Sequence, residues 1–207
     1  MPLGVVLAEF QASAAQCDNL IANAHGLAAG TPILPAIDQQ QITVAAFLNL
    51  FIAWETFLES SLIEFATGSA TLSGIMPVKY LSPINRDAAG QLIVGAGRQF
   101  FDYGNHEHVL QIVKQYLQNG YPYEPHLSSV YGDLSDLRTM RNASAHITAN
   151  TQLKLESVAQ CIFGVPQIGI TLYRLLVTVD PRSGGGETIF IADRNKLLVS
   201  AELIARG

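Results

Sequence analysis

The sequence predicts an all-α fold, a helical bundle with one irregular insertion between its longest helix and a motif-bearing helix. Three observations predict it. Apolar residues recur near the 3.6-residue helical period in one stretch after another. Residues 42–66 are apolar nearly all round, as a helix in the middle of a bundle is. The chain shows no internal repeat and no glycine-rich phosphate loop of the P-loop or Rossmann type. The expected organisation is one helical domain over 1–207, with an insertion at about 68–104 and a helical extension at about 181–207. Hydrophobic residues make up 49% and charged residues 14%, enough for a sizeable core and against disorder. So few charges leave little polar surface, and some apolar surface is expected to be covered in an oligomer.

Taken in order, residues 3–27 form a first helix with Val6, Phe10, Ala14, Cys17, Leu20 and Ala24 on its apolar face. Gly26 and Gly30 end it, and Thr31-Pro32 and Leu34-Pro35 make a stiff connector. Residues 42–66 follow as the longest helix. Its stripe runs Leu48, Phe51, Glu55, Leu58, Leu62, so Glu55 stands among apolar neighbours. A carboxylate there must be paired, hydrogen-bonded or protonated. It either pairs with a basic side chain of a neighbouring helix or belongs to a site.

The segment 68–104 holds six glycines, two prolines and a polar Asn85-Arg86-Asp87 turn. Residues 91–94 are expected as a short strand, and a stretch this long without clear elements marks a functional or partner-binding insertion. Asn105 is the expected N-cap of a helix over 106–118, closed by Asn119-Gly120. His106 and His108 sit two apart, about 200° around a helix of 3.6 residues per turn, which does not suit a shared metal. Residues 121–125 form a turn, and 127–146 the next helix, with Leu127, Val130, Leu134, Leu137 and Met140 as its core stripe. Residues 147–150 leave the helix. Further helices are expected at 152–163, 168–179 and 187–205, the last with a possible strand start at 189–191.

Two apolar segments, 44–65 and 158–179, invite a membrane reading. Glu55, Glu59 and Glu64 interrupt the first, and Gln160, Pro166, Gln167 and Arg174 the second. A charged side chain at mid-bilayer costs about 2.5–3.5 kcal/mol on insertion scales, so both are expected as core helices and no membrane partner is expected. Cys17 and Cys161 belong to no metal spacing, in keeping with a reducing cytoplasm. No basic region precedes the N-terminal apolar stretch, so it is not expected to be a signal peptide. The net charge of −5 argues against a general nucleic-acid binder. Any nucleic-acid contact must be a local patch, weak and salt-sensitive.

The chemistry concentrates at Arg141-Asn142-Ala143-Ser144-Ala145-His146. Asn142 and His146 are four apart and share a helical face. Arg141 lies about 100° away, but its length lets it swing to the same mouth. Those three types suit RNA cleavage. The 2′-hydroxyl must lose a proton to attack phosphorus and the 5′-oxygen must gain one, and an imidazole titrates near neutrality. An Arg offers the developing charge a planar fork of donors, and Asn142 can orient a phosphate oxygen or the His ring. Arg138, one turn earlier, is the nearest further cation. The scheme requires no metal or other cofactor. A structural explanation stands beside it, because cations near a helix C-terminus are favoured by its dipole by about 0.3–1 kcal/mol.

The segment 141–146 resembles the Arg-x4–6-His motif of the HEPN superfamily, in its common variant with Asn after the Arg and Ala before the His. Residues 53–59, Ala-Trp-Glu-Thr-Phe-Leu-Glu, are similar to the aromatic-acidic core helix of one branch of that superfamily. The order of core helix, insertion, motif helix and closing helix also fits, over about residues 42–179. The resemblance implies an all-α bundle that dimerises, with two motifs meeting in an interfacial cleft. It implies a metal-independent endoribonuclease of the bacterial toxin or antiviral (phage-defence) kind, with RNA as substrate and an antitoxin or regulatory protein as partner. Arg141 and His146 would be catalytic and Asn142 would assist. Glu55, at an acidic position of the core helix, would orient Arg141 or His146. The alternative is a non-catalytic helical module that binds a protein through 68–104 or a phosphate ligand through Arg141.

Overall fold

The computed structural model describes residues 2–95, 99–146 and 148–207. The chain is all-α: nine α-helices and one two-stranded ribbon lie among the described residues. It divides into two compact units. The first comprises residues 1–12, 53–134 and 197–207, the second 13–52 and 135–196, so the division falls within four of the helices.

In the first unit, the leading residues of α1 (Leu3–Ala24) bury Leu3, Val6, Leu7 and Phe10. Phe10 packs against Trp54 and Phe57 of α2 (Ala36–Thr67), with ring centroids 5.9 and 5.5 Å apart. Leu58, Leu62 and Phe65 continue that buried face, and Ser61 shares a 2.7 Å hydrogen bond with the buried Tyr123 hydroxyl. α2 ends where Gly68 turns to a φ of 106°, a conformation open to glycine, while its N–H still bonds Glu64.

The insertion is more ordered than its glycines predict. Residues 91–94 are the last turn of α3 (Arg86–Val94), not a strand. The Asn85 side chain accepts from the Ala88 N–H at 2.8 Å, capping the helix, and Ala89 and Ile93 bury one face four residues apart. Glu64, itself buried, takes an ion pair from Arg86 and a 2.8 Å hydrogen bond from Ser69, which ties the insertion to α2. Residues 96–98 of the insertion lie outside the described residues. α4 (His106–Tyr116) follows Asn105, which makes no side-chain capping bond. The single helix expected over 127–146 is two, α5 (Tyr123–Ser129) and α6 (Tyr131–Ala145). At the break the Ser129 hydroxyl donates to the His126 carbonyl, a local alternative to the backbone ladder. α5 also begins inside what the sequence marks as a turn.

In the second unit, Leu27–Ala28 (β1) pairs antiparallel with Thr31–Pro32 (β2) through a turn with Ala29 and Gly30 at φ 49° and 82°. The first helix therefore stops at Ala24, and the connector is a small hairpin. Ala46, Phe47, Leu50 and Phe51 of α2, Leu137 and Met140 of α6, and Leu155, Val158, Ala159 and Ile162 of α7 (Ala149–Phe163) supply the core. The helix expected over 168–179 is only α8 (Leu172–Val177). Gly169, at φ 72°, gives its N–H to the Glu156 carboxylate at 2.8 Å, and Thr171 then caps α8. Residues 189–191 begin α9 (Ile189–Arg206) rather than a strand. A bridge between Val179 and Thr188 precedes it.

α2 is the one helix among the described residues long and apolar enough to cross a membrane, by length and composition; 44% of its most apolar window is buried.

Candidate functional site

The motif occupies the end of α6 and the step into α7, all within the second unit. Leu137 and Met140, each 1% exposed, anchor that end of α6 in the core. Arg138, Arg141 and Asn142 are half-buried, and His146 is exposed one residue beyond the last helical position. The His146 N–H still donates to the Asn142 carbonyl at 3.0 Å, so the helical turn carries the imidazole to the rim.

Arg141 and Asn142 are joined directly. Nη1 of Arg141 donates to Oδ1 of Asn142 at 3.2 Å. A guanidinium only donates, so the amide orientation follows: its oxygen faces the arginine and its NH2 is left as a donor. The pair therefore presents a planar cation and an amide NH2, donors that complement an anion such as a phosphodiester. No hydrogen bond joins the His146 ring to Arg141 or Asn142 among the described residues. The ring and the donor pair stand on the same turn as separate groups.

Three residues that the sequence did not single out fix this turn. The Ser144 hydroxyl donates to the Arg141 carbonyl at 2.6 Å. The Thr151 hydroxyl donates to the His146 carbonyl, and Thr148 and Thr151 form a reciprocal capping box at the start of α7. Of the residues expected to leave the helix, Ala149 and Asn150 are thus its first turn, Thr148 is the cap, and Ile147 lies outside the described residues. The available signal was the Thr148-x-x-Thr151 spacing, a capping pattern with Thr in place of Glu or Gln.

Glu55 is half-buried on α2, between the buried Phe51 and Leu58, and belongs to the first unit. His106 and His108 part as the helical geometry requires: His106 is buried and accepts from the Trp54 indole at 2.9 Å, while His108 is exposed. Among the described residues no group of three or more His, Cys, Asp or Glu side chains is placed to hold a metal ion. Comparison with protein-family models, curated proteins and solved structures found no match.

Proposed function

We propose that this chain is a HEPN-like, metal-independent endoribonuclease of the toxin or antiviral-effector kind, acting in the cytoplasm as a homodimer. The observation that supports it most is the hydrogen-bonded pair of Arg141 and Asn142, one turn before an exposed imidazole. In the proposed reaction the 2′-oxygen bonds to phosphorus and the bond from phosphorus to the 5′-oxygen breaks. Arg141 and the Asn142 NH2 hold the phosphoryl oxygens as their charge grows. His146 takes the 2′-hydroxyl proton or returns one to the leaving 5′-oxygen; two protomers would supply an imidazole for each step. The paired protomer is carried by the resemblance, which implies two motifs meeting in one cleft.

The test is cleavage of a mixed single-stranded RNA in EDTA by the parent, Arg141→Ala and His146→Ala. The parent is expected to leave 2′,3′-cyclic phosphate ends, and each variant to lose about a hundredfold or more in rate while staying folded. Equal cleavage by all three would overturn the assignment.

A second reading rests on a separate observation. Lys79 is the one charged residue from 68 to 85, and Met76, Val78, Tyr80 and Ile84 are exposed there. Such a surface suits a protein partner, such as an antitoxin or regulator, rather than RNA. No RNA turnover, together with a complex lost on deleting 72–84, would favour an interaction module.

A further inference from the structure

The second unit contains a cavity of about 540 Å³ that the motif does not use. It lies among the later residues of α1, Thr43 of α2, α8 and the start of α9. Ile21, Leu176, Val177, Phe190 and Ile191 give it a hydrocarbon wall. Asp18, His25, Thr43, Thr188 and Arg194 interrupt that wall, and their hydrogen bonds define what is left over. The Thr188 oxygen accepts from the Ile191 N–H at 3.4 Å, which leaves its own proton to give.

Nη1 of Arg194 meets the Asp18 carboxylate at 2.8 Å, while Nε of Arg194 is buried without a hydrogen-bond partner and lies out of reach of a ligand in the cavity. The Thr43 hydroxyl gives its one proton to the Gln39 carbonyl at 2.7 Å. It can then only accept from Nε2 of His25, 3.0 Å away. In the neutral ring this leaves Nδ1 of His25 as an acceptor, and the ring is steadied by stacking on Tyr173 at 6.1 Å. Burial also holds the Asp18 carboxyl above its ordinary range even beside Arg194, so the ion pair does not fully replace lost water.

The wall thus carries acceptors at His25 and Asp18, donors at the Thr188 hydroxyl and Arg194, and charges that balance. A charged ligand would be desolvated there with no net opposite charge to meet it. We propose that this cavity is a binding site for an uncharged ligand with an apolar body and a carboxamide-type head, whose C=O accepts from the Thr188 hydroxyl and whose N–H donates to His25. About a dozen non-hydrogen atoms fit comfortably in a pocket of this size. The site is independent of the ribonuclease reading, and either can fail alone.

The probe is 4-phenylbutanamide, titrated calorimetrically into the full chain, with 4-phenylbutanoate as its anionic isostere. The expected result is one-to-one binding of the amide at about 1 mM or tighter, and binding of the carboxylate weaker by about tenfold or more. Ala22→Trp, placed at an exposed α1 position lining the cavity, should fill it and weaken the amide by about tenfold or more. The double variant Asp18→Asn with Arg194→Met removes both charges together and should keep the preference for amide over carboxylate, because neither lining offers a net opposite charge. Methyl-resolved NMR of the parent gives a reading that needs no variant, with shifts expected at Ile21, Leu176, Val177 and Ile191. Absence of saturable binding by the amide, tighter binding of the carboxylate, unchanged affinity in Ala22→Trp, or shifts centred on first-unit methyls such as those of Val113 and Leu127 would each overturn the site.

Discussion

Trp54 and His106 fix each other's chemistry. The indole N–H can only donate, so Nε2 of His106, 2.9 Å away, carries no hydrogen and the ring is the Nδ1–H tautomer. Both residues are buried, Trp54 fully. Trp54→Phe would strip Nε2 of this donor and open space in the Phe10–Phe57 cluster. The expected loss is about 1–3 kcal/mol for the broken hydrogen bond, with a further cavity cost, read as a lower urea midpoint with little change in slope. Asp180 makes a second residue-scale prediction. It is buried, and its carboxylate takes Nε and Nη2 of Arg182 at 2.9 Å each, with the Arg182 backbone N–H at 2.9 Å. Those bonds, the Arg182 side chain first, hold its carboxyl below the ordinary range. A carboxylate depressed in the folded state adds stability above its unfolded value of about 3.9, and that contribution disappears as pH falls through the folded value. Asp180→Asn should therefore destabilise the protein by about 1–3 kcal/mol at neutral pH. The gap between parent and variant in urea unfolding should narrow towards about pH 3.

At the scale of elements, the joint between α6 and α7 carries the motif. Thr148 caps α7, and Thr151 both completes the cap and holds the His146 carbonyl. Thr148→Ala is expected to cost about 0.5–2 kcal/mol. Thr151→Val keeps the shape, loses both hydroxyl bonds, and under the ribonuclease proposal should reduce cleavage more than it reduces stability. An activity loss that merely tracks stability would reduce the Thr151 bond to helix capping. The far end of α7 gives a control: Gly164 caps it at φ 72° with open space about it, so Gly164→Ala should cost about 1–2 kcal/mol from backbone strain alone, with cleavage unchanged in the folded fraction. What the sequence made legible follows the range of the forces. Periodicity found α1, α2, α4, α7 and α9, because burial of one face repeats locally. α2 and α7 end at Thr67 and Phe163, where the apolar period stops at 66 and 163. The errors lie where a distant or local hydrogen bond competes with pattern. The 91–94 run looks β-prone, yet the Asn85 cap sets it in a helix. The 168–171 run looks helical, yet the Glu156 carboxylate, held below its ordinary range by Gln152 and then by the Gly169 N–H, draws it out of one. The neighbourhood of Arg141 and Asn142 could be read from spacing. The Thr151 bond across a helix break could not, nor could the cavity between His25 and Arg194, whose parts are far apart in sequence.

For the whole molecule, charge is the constraint that most sharply tests the proposed function. The chain carries a net charge of −5, so its general field repels RNA, and attraction must come from a few local cations. Near the motif these are Arg138 and Arg141, both half-buried and both in the second unit. If one protomer engages phosphates with one or both, a dimer releases about two to four counterions. For a single-stranded substrate, the logarithm of affinity should then fall against the logarithm of salt with a slope of about −1.4 to −2.8. Arg138→Gln should flatten that slope by about 1.4 in a dimer, lowering affinity with a smaller effect on the bound-state rate. Arg141→Gln should flatten it similarly and abolish cleavage as well, because Arg141 is asked to meet charge that grows only in the transition state. Salt titrations of RNA binding, read by fluorescence anisotropy beside single-turnover cleavage, separate the two roles. A slope steeper than about −5 would require more cations than this end of α6 supplies, and would move the RNA contact away from the motif.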